Sequence, residues 1–221
     1  MDPAYRTKVL SEPYLAETVS PADIRIDTDP RTIKKRLPQT DADYGEYLVT
    51  GEQFYLALIA FEGMFLHASC VVTEGKAYLF SGDCGAGKST HTRLWLRLLG
   101  DRAYILNDDK PAIRLRDGKA QVYGTPWSGK RGINRNEKVP LGGICFLQQA
   151  EENRICSLRP EEALPQLFAQ TARPSDVASM AAMLTTLDRI LSQCRLYELQ
   201  CNMDVSAAEL SYQTMTGRKE L

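Results

Sequence analysis

Histidine is almost absent from this chain: His67 and His91 are the only two in 221 residues. That scarcity excludes a histidine-rich metal centre. Cysteine occurs at Cys70, Cys84, Cys145, Cys156, Cys194 and Cys201, but never as C-x-x-C. Several of these thiols lie in apolar, strand-like runs. They read as reduced and mostly buried in a cytoplasmic protein, not as a zinc site or a disulfide framework. Charge of one sign is not in excess either: 27 Lys and Arg face 28 Asp and Glu, for a net charge of -1. No global field therefore attracts nucleic acid or an acidic membrane. No apolar run approaches the ~20 residues that cross a bilayer. The opening Met1-Asp-Pro-Ala-Tyr-Arg-Thr-Lys8 lacks the apolar core of a secretory signal. There is no internal repeat and no low-complexity tract.

What is present is a glycine pattern. Ala77-Tyr-Leu-Phe-Ser-Gly82-Asp83-Cys84-Gly85-Ala86-Gly87-Lys88-Ser89-Thr90 fits G-x-x-x-x-G-K-[ST], a P-loop, at Gly82, Gly87, Lys88 and Ser89. An apolar strand, 77–80, runs into it, and an amphipathic helix, 88–99, runs out. In that setting glycines let backbone N–H groups close around a phosphate chain, and the helix N-terminus adds partial positive charge. Lys88 would reach the β- and γ-phosphates of ATP, and the Ser89 hydroxyl would ligate Mg²⁺.

The length suits one α/β domain burying roughly 70% of its unfolded-chain surface. Residues 1–45 carry Pro3, Pro13, Pro21, Pro30 and Pro38 and no sustained periodicity. They read as an arm packed on or extending from the core, with a short strand-like piece at 24–26. Residues 46–221 read as a single kinase-like P-loop domain. A helical pattern covers 51–64, a strand 65–72, and a hairpin turn 74–76 leads to the P-loop strand. Further strands are expected at 103–106, 112–116, 120–123 and 141–147, with Asp117-Gly118-Lys119 as a second hairpin turn. Helices at 160–171 and 175–192, a strand at 195–201 and a last helix starting near Asp204 or Ser206 complete the chain, with Ser206-Ala-Ala-Glu209 as a candidate capping box. The expected fold class is α/β, a mixed sheet with β-hairpins flanking the P-loop strand on both sides and a helical C-terminal part.

Asp108 and Asp109 end a strand about twenty residues after Lys88, where a P-loop enzyme places a Mg²⁺-directed carboxylate. One would hold Mg²⁺ or its water, and the other would accept the proton of an incoming hydroxyl. Two adjacent carboxylates leave that division open. His67, in the strand entering the first hairpin, reads either as a structural residue or as one that bonds a phosphate or orients an Asp. The loop 124–136 concentrates Lys130, Arg131 and Arg135, cations suited to a transferring phosphoryl group, and Trp127, able to pack an acceptor or a base. His91 and Arg93 read as surface residues of the first helical turn. Oxidation of Cys84, inside the loop, would block ATP; unchanged peroxide sensitivity in Cys84→Ser would dispose of that idea.

His67-Ala-Ser, then Ser81 to Ser89, then Asn107-Asp108-Asp109, with a hairpin on either side, resembles the catalytic domain of HPr kinase/phosphorylase. That bacterial enzyme phosphorylates a serine of a sugar-transport phosphocarrier protein. Its domain is related to the nucleotide-binding part of phosphoenolpyruvate carboxykinase. The resemblance spans about 65–147. It implies that Gly82 to Thr90 bind ATP, that Ser89 and Asp108 serve Mg²⁺, that Asp109 is the base, and that His67 sits near the transferred phosphate. It also raises homo-oligomerisation. Three features depart from that family. Only a short arm precedes the core, Thr90 follows the P-loop serine in place of an acidic residue, and 124–136 does not reproduce the family's glycine-rich signature. The acceptor, whether protein, peptide or small molecule, is therefore not inherited. A nucleotide-binding regulatory module without transfer activity is the rival reading, and an ATP-hydrolysing or carboxykinase-like enzyme a third.

Overall fold

Alternation along the central strands builds the fold. In the computed structural model, which describes residues 5–18 and 21–218, β2 (Ala68–Thr73) and β3 (Lys76–Ser81) are buried at nearly every position. Side chains of successive strand residues point to opposite faces. Ala77 and Leu79 enter one core with Ile144, Phe146, Ala163, Leu167 and Leu187. Tyr78 and Phe80 enter the other, with Trp95, Leu99, Tyr212 and Met215. The sheet is thus covered on both sides, which is why its central strands read as continuous apolar runs. One cover is α5 (Pro160–Ala169) with α6 (Val177–Leu191); the other is α4 (Lys88–Leu99) with α7 (Val205–Thr216).

Two tight turns set the register of the hairpins. Glu74-Gly75 and Asp117-Gly118 all have positive φ, the two-residue geometry that matches strand twist. They join β2 to β3 and β5 (Ala112–Arg116) to β6 (Lys119–Tyr123). The sheet runs β1 (Gly63–Phe65), β5, β6, β7 (Lys138–Gln149), β3, β2, β4 (Ala103–Asn107). β9 (Arg195–Cys201) pairs parallel with β7, and β8 (Arg154–Leu158) pairs antiparallel with β9. The mixed sheet is as expected, but the second hairpin does not flank β3. It lies beyond β7, whose first residues take β6 while the rest take β3 and β9.

Several expectations change. The strand expected at 65–72 is broken: β1 pairs with β5, β2 pairs with β3 and β4, and His67 lies in the break between them. Strand β8 was not anticipated, because RICSL is short and half-exposed. The strand-like piece at 24–26 is not a strand. Arm residues instead form α1 (Tyr5–Ser11) and α2 (Pro30–Arg36). The helix expected from Gly51 begins at Ala42, capped by Asp41, as α3 (Ala42–Leu58), so the arm joins the body inside a helix. Gly51 sits mid-helix because a Cβ there would lie 2.8 Å from the Trp127 ring. α7 begins at Val205 with Asp204 at its N-cap, and Ser206 accepts a hydrogen bond from Asn153 instead of forming a capping box. The first residues of the supposed non-signal N-terminus, 1–4, lie outside the described residues. Among the described residues no helix is long and apolar enough to cross a membrane.

Candidate functional site

Antiparallel pairing of β2 with β3 and β4 sets Ala68 opposite Ser81 and Cys70 opposite Asn107. The start of β2 and the ends of β3 and β4 therefore meet at one edge of the sheet. His67, the glycine-rich loop and the two aspartates all continue from that edge.

The loop leaves β3 at Ser81 and enters α4 at Lys88. Gly82, Gly85 and Gly87 have φ of +144°, +85° and +98°, where a Cβ is disfavoured. A side chain at Gly82 would also come 2.9 Å from the Leu147 carbonyl oxygen, while Gly85 and Gly87 face open space. Ala86 N–H donates to the Asp83 carbonyl at 3.1 Å. The N–H groups of Gly85, Gly87, Lys88, Ser89 and Thr90 meet no acceptor among the described residues. Orphan donors at a helix start are satisfied by side chains, water or a ligand. The Gly87 cap supplies no side chain. Lys88 folds back, its Nζ donating to the carbonyls of Gly82 at 2.8 Å and Asp83 at 3.0 Å. Burial lowers the Lys88 pKa, and the nearby Asp109, Asp83 and Asp108 charges oppose that shift. Cys84 is exposed and unpaired.

The aspartate turn is fixed by a different set of residues. Buried Asn107 accepts the N–H of Asp109 at 3.0 Å and of Lys110 at 2.8 Å through its Oδ1. Its Nδ2 donates to Thr125 O at 2.9 Å, and the Thr125 and Tyr55 hydroxyls donate to the Lys110 carbonyl. This side-chain-built turn brings both carboxylates to the site edge. Asp108 accepts from Ser69 Oγ at 2.6 Å, and Ser69 in turn lies 2.8 Å from Thr92 Oγ1. Because Ser69 gives its proton to the carboxylate, Thr92 is the donor to Ser69. Asp108 is thereby tied to α4, one turn below Ser89.

Asp109 has other partners. Its Oδ1 is 3.2 Å from His67 Nε2, and its Oδ2 takes the Lys110 ammonium. Burial pushes the Asp109 pKa up, but His67 and Lys110 together outweigh it and hold the carboxyl below its ordinary value. His67 Nδ1 is 3.0 Å from Gln170 Oε1, and Gln170 Nε2 donates to Asp83 Oδ1 at 3.0 Å. With the amide so oriented, both His67 nitrogens face acceptor oxygens. A chain of contacts thus links the glycine-rich loop, through Gln170 and His67, to Asp109.

Other sequence-predicted residues are placed as follows. Lys130 and Arg131 are exposed in a 3₁₀ turn, Gly129–Arg131. That turn adjoins the site through Gly129, where a Cβ would meet Asp109 Cβ at 3.0 Å. Arg135 lies over the Tyr104 ring and pairs with Glu137, away from the aspartates. Trp127 is buried, donates to Tyr47 O at 3.0 Å and stacks on Phe54. It forms part of the wall of the third core. Arg93 is exposed as expected, but His91 is only 2% exposed, against Phe80. It turns inward because its position, three residues after Lys88, faces α7: its Nε2 lies 2.9 Å from Ser211 Oγ. Burial pushes the His91 pKa down to about 4.

Sequence reasoning missed Ser69, Thr92, Asn107, Lys110 and Gln170. Asn107 and Lys110 flank the aspartates and carried a signal; nothing local in the sequence marks Gln170, which reaches the site from the end of α5. A cleft of about 300 Å³ lies beside the loop, lined by Ala86, Thr90, Leu94, Ala150, Cys201 and Met203 among others. No protein-family model matches the chain, and no curated protein sequence matches it.

Proposed function

We propose that the protein is an ATP- and Mg²⁺-dependent phosphotransferase that moves the γ-phosphate to a serine-type hydroxyl. One observation carries this reading. A glycine-rich loop with unpartnered N–H groups, and Lys88 at its end, share one end of the sheet with Asp108 and Asp109. Phosphoryl transfer needs mainly positioning and charge stabilisation, and this edge offers donors for an anion beside acceptors for a cation.

The residues suit the two partners. Gly82, Asp83, Cys84, Gly85, Ala86, Gly87, Lys88, Ser89 and Thr90 would surround the phosphate chain, with the N–H groups of Gly85, Gly87, Lys88, Ser89 and Thr90 donating to it. The cleft beside Thr90 would take the nucleoside. Ser89 lies in the first turn of α4, and Asp108 is tied through Ser69 to Thr92, one turn further along the same helix. Ser89 and Asp108 would serve Mg²⁺, which commonly takes one or two protein oxygens and otherwise waters and phosphates. Bound there, the ion supplies neutralisation of phosphate charge.

In the transfer, the acceptor oxygen bonds to γ-phosphorus as the bond to the ADP oxygen breaks. Asp109 orients the acceptor hydroxyl and takes its proton. A lowered pKa makes Asp109 a weak base, so its main service is orientation, with proton transfer late in a loose transition state. His67 holds Asp109 in place. Lys88, Lys130 and Arg131 add positive charge at the equatorial oxygens.

The test is transfer of labelled γ-phosphate from ATP-Mg²⁺ in host extract, with Lys88→Ala as blank and the products split into protein and small-molecule fractions. Label above the blank in either fraction is expected. ATP binding without label in any fraction would instead favour a regulatory module, a reading encouraged by the tight pairing of Asp109 with His67 and Lys110.

A further inference from the structure

Beside the Asp109–Lys110 pair, α3 and the segment after α5 enclose a pocket of about 140 Å³. Tyr47, Tyr55, Phe65, Trp127, Lys110 and Ala172 line it. The rings form a continuous wall: Tyr55 meets Phe65 at 4.4 Å and Trp127 at 5.4 Å between centroids. Tyr47 touches the site at two points. Its hydroxyl accepts the Gly129 N–H at 2.9 Å, and the Lys110 ammonium lies 5.9 Å from its ring centroid. Gly129 itself abuts Asp109. The Asp109 charge also adds to burial in raising the Tyr47 hydroxyl to about 12. Lys110 is thus common to the pocket wall and to the carboxylate that the proposed reaction uses.

We infer that this pocket is the acceptor subsite, and that it takes a ring-sized or branched apolar group carried next to the hydroxyl that is phosphorylated. The inference rests on the phosphotransferase reading. Size and lining decide the class. A dry cavity of about 150 Å³ accepts one benzene ring, so this one admits a single phenyl or isobutyl group and no larger fused system. Both charged residues of its lining are already paired, Glu52 with Arg36 at 2.7 Å and Lys110 with Asp109, so an acidic substituent would lose its water and gain no free cation. A hydroxyl attached to such a group would leave the pocket past Lys110, the residue that the pocket wall shares with the Asp109 pair.

The pocket can be tested without ATP. Benzyl alcohol, which carries a ring and a hydroxyl, serves as the probe, with saturation-transfer NMR on the full chain as the readout. Saturable binding is expected, with loss of about tenfold or more in affinity when Ala172→Leu fills the space, and a smaller loss in Ala172→Val. Near-ultraviolet circular dichroism confirms that both variants keep the wild-type packing. No saturable binding in the wild type, or equal binding in a folded Ala172→Leu, overturns the pocket. Transfer from ATP to Ser-Phe and Ser-Asp peptides then reads the preference, expected to favour Ser-Phe about tenfold or more in kcat/KM. Phosphorylation of both at equal rates overturns the subsite while leaving the kinase standing. Benzyl alcohol binding with no transfer to any acceptor removes the kinase reading, and with it the acceptor role.

Discussion

The two halves of the candidate site are built in opposite ways. The 82–90 half leaves backbone donors without partners and holds its chain direction with glycines. The 107–110 half leaves almost nothing free: Asn107, Thr125 and Tyr55 pin the turn, Ser69 holds Asp108, and His67 and Lys110 hold Asp109. Unsatisfied donors are a standing invitation to an anion. Carboxylates held in this way are preorganised for a task that comes after binding. On the proposed reading, the phosphate side is open before ATP arrives, while the acceptor side is already set.

The sharpest way to break this contrast is to remove the open half. Lys88→Ala should lower transfer by about a thousandfold and abolish detectable ATP binding. Calorimetric titration with ATP-Mg²⁺ measures this, and wild-type affinity would mean that the loop does not hold phosphate.

A second expectation concerns what supports the loop from below. His91 has a folded pKa of about 4, depressed by burial, against about 6.5 when unfolded. The unfolded chain therefore binds the extra proton. Stability from the neutral ring is fully present above about pH 6.5 and is lost as pH falls toward 4, by roughly 3 kcal/mol. Urea unfolding between those values should show the slope. His91→Gln should flatten it, and a His91→Gln curve with the same slope would remove His91 as its source.

The closed half can be loosened in smaller steps. Ser69→Ala removes the hydroxyl between Thr92 and Asp108 and should cost about 1–2 kcal/mol of stability. It should also raise the Mg²⁺ concentration needed for half-maximal transfer by several-fold, roughly the weight of a lost outer hydrogen bond. An unchanged Mg²⁺ dependence would separate Asp108 from the metal. Gln170→Leu cuts the link between Asp83 and His67, and should reduce transfer by only about tenfold with ATP affinity unchanged in the same titration.

The same contrast explains what the sequence revealed. The open half is contiguous, so its glycines, lysine and serine could be read in order, and the flanking strand and helix fell where expected. The closed half is assembled from distant segments. Asp108 and Asp109 were visible as a strand end, but their holders come from β2, α4, α3, the 124–136 loop and the end of α5. Nothing in the local pattern around Gln170 or Ser69 says which carboxylate each will meet. His91 looked exposed because the helical period alone does not say that α7 covers that face. Trp127 sits in a polar stretch of sequence, and nothing local there says that mid-helical Gly51 gives its ring a place to lie. The arm helices α1 and α2 were missed for a related reason. They are short and held by contacts such as Arg6 to Asp43, to Gly129 and over Tyr47, not by their own periodicity.

Single-turnover transfer by Asp109→Asn, measured beside its ATP affinity, tests the division between the halves most directly. The account predicts ATP binding within about threefold of wild type and transfer reduced by roughly a hundredfold or more. Transfer at the wild-type rate would contradict it, because the carboxylate that His67 and Lys110 hold in place would then have no part in the chemistry.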